Sequence, residues 1–566
     1  MCGIFALIGD TENFPKHFIA EQFEKGRGRG PEHSKLETIG KDVTLGFHRL
    51  AINGLNTESN QPFLIDNIML ICNGEIYNYK ELFQELNIVP QTDSDCEIII
   101  HLYKLLGIEQ TLTLLDGVFS FVLYDMNIVD NNPTKIYIAR DPLGIRPLYI
   151  LKNSKENFFG VASELKMLSH FYNDNNDNTL EQFIPGSYTL LEKSYTILAP
   201  WSEKVINQPY FLLNHSYTLL EGNDMEYIIS GIQKHLTNAV KKRYLTTDRP
   251  IACLLSGGLD SSLITALVAS IHKQHSSTPL ETYSIGLKNS EDLVFAKIVA
   301  DYLGTNHTEV IITEEEMIQA IPEVIYAIES YDTTTVRASI GNYLLGKYIE
   351  KHSEAKVIFN GDGSDELCGG YLYMNKAPNG IEYDIEIRRL LKDIHKYDVL
   401  RSDKCISSHG LEPRTPFLDK NFVNFYLSIP YSLRMHTRMH KCEKYLLRYS
   451  FSFLHFSVDG LQILPDVVLW RKKEAFSDGI TNQKRSLYTI IDEFTQNMVS
   501  TKETYGYIHN TPKTNEQIYY RELFDDYYPN LATIVPYFWM PKFVEANDPS
   551  ARTLDFYNER VSRSTS

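Results

Sequence analysis

IACLLSGGLDSSLITALV, residues 251–268, is the stretch on which the fold of most of this chain turns. Ile251 to Leu255 is a short apolar run of the kind that forms a buried strand, and the run from Leu259 onward favours a helix. Between them Ser256-Gly257-Gly258 lets the backbone bend and approach an anion closely. A helix that starts there points unpaired N–H groups and a partial positive charge at phosphate. Ser256, Ser261 and Ser262 add hydroxyl donors, and Asp260 can hold a Mg²⁺ bound to the same phosphates. A bare SGG is more often a capped strand-to-helix turn, by about two to one. Strand, full SGGLDSS and helix together favour the phosphate loop. The spacing is not GxxxxGK[ST], which excludes a kinase-type P-loop.

Outward from this loop the same rhythm repeats. Helical stretches such as 227–245 and 261–273 alternate with β-runs ETYSIGL (281–287), HTEVIIT (307–313) and KVIFNGD (356–362). Strand followed by helix predicts a parallel sheet covered on both faces. The run KVIFNGDGSDELCGGY (356–371) is a second glycine-bent loop, carrying Asp362, Asp365 and Glu366. Acids so placed could bind the ammonium of an amino acid, position Mg²⁺, or take a proton from an attacking amine. Arg471, Lys472 and Lys473 in WRKKEAFSDG are the cations available to neutralise departing pyrophosphate, or a solvated basic patch. From about residue 380 the pattern is mainly helical, and the polar tail RVSRSTS (560–566) is expected to fray.

The first 205 residues read differently. Short β-runs such as CGIFALIG, TLGFHRLAI, IMLICNGEIYN and VFSFVLYD predict a strand-rich unit with helices packed on sheets. FYNDNNDNTL (171–180) reads as a surface loop and GSYTLL (186–191) as the closing strand. A domain boundary is expected near residue 205. This unit has its own chemistry. Cys2 follows the initiator Met1; once Met1 is removed, a thiol and a free α-amine, of pKa about 7.7–8.0, share one residue. That amine could serve as the base for the thiol. Attack on a carboxamide creates an oxyanion, for which Asn73 offers a side-chain amide and Gly74 a backbone N–H. Arg49 suits an amino-acid carboxylate, and Glu75 and Asp95 suit its ammonium.

Composition sets the limits. The 566 residues exceed what one core usually organises, and 43% hydrophobic with 22% charged is ordinary for globular domains. A net charge of −17 argues against a nucleic-acid or anionic-membrane surface. Seven cysteines, at 2, 72, 96, 253, 368, 405 and 442, show no zinc-type spacing and fit a reducing compartment, so the cytosol is expected. No run approaches the roughly 20 apolar residues of a membrane span.

The SGGxDS pattern resembles the pyrophosphate loop of ATP pyrophosphatases, which cleave ATP to AMP and pyrophosphate. Along nearly its whole length the chain resembles the animal-type glutamine-hydrolysing asparagine synthetases. The resemblance rests on MCGIFAL, GFHRLAI, NGEIYN, SDCEIIIHLY, LDGVFSFVL, ARDPLGIRPLY, ASELK, LLSGGLDSS, TTTVRAS, GDGSDEL, HGLEPRTPFLD, WRKKEAFSDGI, NTPKT and WMPKF…NDPSARTL. It implies an α+β and α/β fusion: an αββα sandwich of the N-terminal-nucleophile, class II glutamine amidotransferase type over 1–205, and an α/β ATP-pyrophosphatase-type synthetase over 206–566.

It also implies roles. Cys2 would be the nucleophile, Asn73 and Gly74 the oxyanion hole, and Arg49, Glu75 and Asp95 the glutamine clamp, with Leu50, Ala51, Ile52 and Asn53 lining the pocket. Leu254, Ile285, Asn360 and Gly361 match positions that hold the adenosine part of ATP. Ser256, Gly257, Gly258, Asp260, Ser261 and Lys473 match the pyrophosphate and metal site, with Arg389 assisting. Asp365 matches the acid that recognises aspartate, and Asp362 the acid linked to forming and using a β-aspartyl-AMP intermediate. The implied substrates are L-aspartate, L-glutamine and ATP with Mg²⁺, and a dry passage for ammonia joins the sites. The oligomeric state stays open, a homodimer being one option. The rivals are a related amidotransferase or β-lactam-synthetase-like enzyme, and a catalytically silent protein on the same fold.

Three stretches depart from the family pattern. The second loop reads NGDGSDE where the family has SGEGSDE, so Asp362 sets its carboxylate over about 1 Å back from that of a glutamate. Asn360 stands for a serine, with little consequence expected. GRGPE (28–32) stands for HRGPD, a modest change near the glutamine pocket.

Overall fold

Strand Gly3–Ile8 is buried on both faces, and its alternation places it in the middle of a layered domain. Ile4, Ala6 and Ile8 pack with Val43, Leu45 and Phe47, and with Met69, Ile71, Val122, Ile136 and Ile138 of a second sheet. Phe5 and Leu7 face the other way, toward Ile19 and Phe23 of helix Lys16–Glu24. Each such side chain removed from water contributes on the order of 1.5–3 kcal/mol, so the register of this strand is strongly specified.

The structure is a computed structural model that describes residues 1–11, 14–127, 133–153, 155, 157–173, 177–193, 200–213, 225–439, 441–481, 485–498 and 506–554. The first sheet runs Asn178–Gln182, Tyr149–Asn153, Phe158–Ala162, Gly3–Ile8, Val43–Arg49, His33–Ile39. The second runs Trp201–Pro209, Ser187–Lys193, Thr134–Arg140, Gly117–Asp125, Ile68–Ile76, Phe63–Ile65. Helices Tyr79–Leu86 and Ile98–Leu114 cover its outer face through Leu82, Phe83, Ile98 and Leu102. Helix, sheet, sheet and helix make the expected αββα sandwich.

Two expectations are corrected. The closing strand is Trp201–Pro209, paired with Ser187–Lys193, so it crosses residue 205 and carries the first sheet system on to Pro209. The segment 171–180 is not loop throughout, because Asn178 already begins a strand; its residues 174–176, like the tail 560–566, lie outside the described residues.

The second unit contains a five-stranded parallel sheet ordered Asn306–Ile312, Glu281–Leu287, Ile251–Leu254, Val357–Phe359, Glu412–Arg414. Ala252 and Ile358 face helix Thr333–His352, whereas Cys253 and Phe359 face helices Met225–Leu245 and Leu259–His275. Both faces are therefore covered, as the continuous apolar runs require. From Ile251–Leu254 the chain adds strands on one side, then returns to add Val357–Phe359 on the other. Ligands of open α/β sheets bind at such a reversal, outside the carboxyl ends of the strands. SGGLDSS and NGDGSDE are the two loops that leave those ends.

Candidate functional site

Two sites form, one in each unit. At the first, the hydrogen-bond pattern around Cys2 leaves one donor free. The backbone N–H of Cys2 donates to Asn73 Oδ1 at 3.1 Å. Asn73 is fully buried on strand Ile68–Ile76, and its Nδ2 has no hydrogen-bond partner among the described residues. An unpaired buried amide costs about 1–3 kcal/mol, so a donor held this way is poised for an acceptor that arrives later. Cys2 Sγ lies 3.7 Å from Leu50 O. Burial pushes the thiol up, and the amino terminus and Arg49 oppose it. Gly74 sits opposite Phe119 in the strand pair, and its carbonyl accepts from the Cys96 thiol at 3.6 Å.

The clamp residues surround this centre. Arg49, at the end of strand Val43–Arg49, donates to Asn56 O at 2.8 Å and Asn60 Oδ1 at 2.7 Å, and also to the carbonyls of Asn53 and Gly54. Its guanidinium is thus held by acceptors of the loop from Asn53 to Asn60. Glu75 Oε2 accepts from Asn53 Nδ2 at 2.5 Å and lies 3.4 Å from Arg414. Burial pushes the Glu75 carboxyl well up, Glu412 and Asp95 add to this, and Arg414 opposes it. Asp95 accepts from the Ile76 N–H at 2.6 Å and is pushed up to about 6 by burial. Leu50, Ala51, Ile52 and Asn53 are all buried. Glu32 accepts from the Ala51 N–H at 2.7 Å and meets Arg249 at 2.5 Å. The acid that distinguishes GRGPE thus pins the pocket wall to the second unit.

Sequence reasoning passed over Arg29. Its Nε donates to Cys2 O at 2.9 Å, and its NH1 meets Glu164 at 2.6 Å and Asp403 at 2.7 Å. A buried arginine amid two acids from distant segments is a tertiary feature with no local signal. Met1 is buried too, its amino nitrogen 3.4 Å from Glu412. With Met1 in place, the Cys2 nitrogen is an amide and not a base.

At the second site, a cavity of about 210 Å³ opens at the sheet reversal. Gly257 has φ +71, and a Cβ there would meet Ala296 N at 2.4 Å, so glycine is required for the bend. Ser256 Oγ lies 3.0 Å from Ser261 Oγ and accepts from the Gly258 N–H at 3.3 Å, which shapes the loop before helix Leu259–His275. Leu254, Ser256, Gly258, Asp260 and Ser261 line the cavity from this side. Ile285, Asn360, Gly361, Asp362, Asp365 and Lys473 complete it. Gly361 packs against the first loop so tightly that a Cβ would meet Ser261 N at 2.6 Å. Gly257 stands behind the lining. Arg389 lies outside it as well, because Glu386 at 2.7 Å and Tyr537 at 2.9 Å hold its guanidinium.

Charge in this cavity is paired internally. Lys473 Nζ lies 2.6 Å from Asp365, and Lys444 Nζ lies 2.5 Å from both Asp365 and Asp260. Burial alone would push Asp365 up, but the two lysines outweigh it and hold the carboxyl below the usual range. Lys444 escaped the sequence reading because it belongs to no charge run. Arg471 pairs with Asp292 at 3.0 Å, and both line the cavity together with Lys472.

The shorter acid Asp362 is buried, and burial pushes it up against the pull of Arg401, whose NH2 is 3.7 Å away. Its Oδ2 has no hydrogen-bond partner among the described residues. Asn360 has a side-chain role that was not expected. Its Nδ2 donates to Ser402 Oγ at 2.8 Å and its Oδ1 accepts from the Asp362 N–H at 3.3 Å, so it braces the loop.

Buried ion pairs join the two units. Arg146 lies 3.4 Å from Asp403 and 3.5 Å from Glu412, and Lys404 pairs with Glu329 and, at 3.4 Å, with Glu164. Among the described residues no group of three or more His, Cys, Asp or Glu could hold a metal, and no helix is long and apolar enough to cross a membrane.

Comparison with known proteins agrees with this division. The family model described as a glutamine amidotransferase domain matches residues 1–200, and the one described as asparagine synthase matches 231–387 and 382–541. A chicken protein named asparagine synthetase [glutamine-hydrolyzing] is 42% identical over 99% of this chain and 100% of its own length. Human and mouse proteins of the same name are each 40% identical, over 99% and 98% of this chain and 100% and 99% of their own.

Proposed function

The chain belongs to the glutamine-hydrolysing asparagine synthetases, and from that membership and the two sites we propose how its residues share the reaction. The enzyme makes L-asparagine from L-aspartate at the expense of ATP, using the amide nitrogen of L-glutamine. The division into residues 1–205, extended to Pro209, and the remainder assigns glutamine hydrolysis to the first unit and synthesis to the second.

Removal of Met1 frees the Cys2 α-amine, which takes the thiol proton as sulfur attacks the carboxamide carbon of glutamine. Asn73 Nδ2 and the Gly74 N–H stabilise the oxyanion, the C–N bond breaks, ammonia leaves, and water hydrolyses the thioester to glutamate. Arg49 takes the substrate carboxylate, and Glu75 with Asp95 takes its ammonium, within the wall from Leu50 to Asn53. The unpartnered Asn73 Nδ2 beside Cys2 is the observation that carries this half of the reading.

In the second unit Leu254, Ile285, Asn360 and Gly361 hold the adenosine part. The aspartate β-carboxylate attacks the α-phosphorus, and pyrophosphate departs against Ser256, Gly257, Gly258, Ser261 and Lys473. Asp365 meets the aspartate ammonium. Ammonia then attacks the acyl carbon of β-aspartyl-AMP, AMP leaves, and Asp362 accepts a proton. Arg389 has no part in this scheme.

Carboxylates beside phosphate oxygens are a donor set that Mg²⁺ commonly uses; Asp260, which Lys444 and Ser364 hold, and Asp362, whose Oδ2 has no partner among the described residues, both line the cavity and fit it. Asp260 would hold the ion, which supplies charge neutralisation on the phosphates. Cytosolic location and a homodimer complete the proposal; seven cysteines, none of them in a disulfide, support the first. Aspartate-dependent exchange of labelled pyrophosphate into ATP tests the scheme. Exchange is expected, and its absence overturns the adenylation route.

A further inference from the structure

Strand Glu412–Arg414 is the edge of the parallel sheet, and Arg414 serves two places at once. Its carbonyl accepts from the Asn360 N–H at 3.1 Å, at the base of the nucleotide loop. Its side chain points to the other unit. Nε donates to Glu412 at 2.8 Å, and NH1 donates to Arg243 O. NH2 has no hydrogen-bond partner among the described residues and lies 3.4 Å from Glu75 Oε2. The residue is 1% exposed, and its guanidinium stands 5.9 Å from the Tyr77 ring, which Arg243 covers at 4.6 Å.

A buried carboxylate with acids as neighbours stays ionised only if a cation stands close. Glu75 faces Glu412 and Asp95 on one account and Arg414 and the amino terminus on the other. The amino terminus leaves this balance when Met1 is removed and its charge relocates to Cys2. Arg414 is then the fixed cation that Glu75 keeps. We propose that Arg414, contributed by the synthetase unit, is a positioning residue of the glutamine pocket: it sets an opposite charge beside Glu75 and aims that carboxyl at the ammonium of glutamine. The inference rests on the reading of Glu75 as an ammonium ligand. The glutamine site is thus incomplete within residues 1–209, because one of its charges comes from the other unit.

The test uses the full chain and measures glutamate release from glutamine with Arg414→Met, Arg414→Lys and Glu75→Gln. In Arg414→Met, KM for glutamine is expected to rise about tenfold or more at pH 7, with kcat changed less than about threefold. Without the cation the Glu75 pKa rises, so its ionised fraction at a given pH falls. Raising the pH restores it, and the KM of the variant should fall back toward the wild-type value by pH 8.5. Arg414→Lys should recover most of the loss. A KM that is unchanged, or raised equally at both pH values in both Arg414 variants while Glu75→Gln also raises it, overturns the role of Arg414 alone. If Glu75→Gln leaves KM unchanged, the assignment of Glu75 itself falls. If Arg414→Met does not fold, Arg414→Lys still decides by its pH profile: a KM above wild type that falls as the pH rises supports the role, and a wild-type KM or a pH-independent rise overturns it.

Discussion

The two sites treat charge in opposite ways. Beside Cys2 the buried amide Asn73 Nδ2 has no hydrogen-bond partner among the described residues, so on the proposed reading the site would await a negative charge that exists only during reaction. In the cavity of the second unit Lys444 and Lys473 are paired with Asp260 and Asp365, and on the proposed reading anionic substrates would compete for these cations. The first arrangement stabilises a transient oxyanion with little reorganisation. The second, on the proposed reading, would balance charge within the cavity by its own ion pairs, which substrate binding would rearrange.

Four experiments break or sharpen this contrast. The largest effect is expected from Cys2→Ala, which should abolish glutamine-dependent synthesis and retain synthesis from free ammonia. Loss of both in paired assays would mean that the sites do not divide the labour. Next is Lys444→Ala, which removes the cation shared by Asp260 and Asp365 and leaves Lys473 paired with Asp365. Pyrophosphate exchange should fall on the order of 10²-fold, comparable with removing one oriented donor. A change under about threefold would show that Lys444 is only a counter-ion of the empty site.

Asp362→Glu should keep or raise the rate of asparagine formation, by no more than a few fold, because the added methylene carries the unpaired oxygen further into the cavity. A sharp fall in that rate would show that Asn360 and Arg401 have shaped the loop for the shorter acid. The smallest effect concerns acid stability. Glu412 is pushed up by burial, but Arg414 and the amino terminus win and hold it down to about 2. A depressed carboxylate contributes stability above its unfolded pKa, roughly 4.3, and loses it as pH falls toward the folded value. Denaturant midpoints of Glu412→Gln should therefore be lower than wild type at pH 6, with the gap closing between about pH 4.5 and 2.

Much of both sites was legible in local order. SGGLDSS reads as strand, bend and helix because glycine permits φ +71 at Gly257 and because the flanking runs differ in period. Strand Trp201–Pro209, which runs past residue 205, carries little local signal because its sequence alternates weakly and only its pairing identifies it. Arg389 sits near the cavity in sequence terms, but Glu386 and Tyr537 hold it elsewhere.

By itself, then, the sequence determined the two chemistries: a thiol at position 2 followed by a strand, two glycine-bent loops at strand ends, and the acids and amides that serve them. These are local properties, set by backbone permissiveness and side-chain type. Tertiary structure alone decided which charges meet. Arg29 reaches Cys2 from the chain just before strand His33–Ile39, Lys444 bridges acids more than a hundred residues apart in one case, and Arg414 crosses from one unit to Glu75 in the other. Coulomb interaction depends on distance and dielectric and not on sequence separation, so no pattern along the chain announces it.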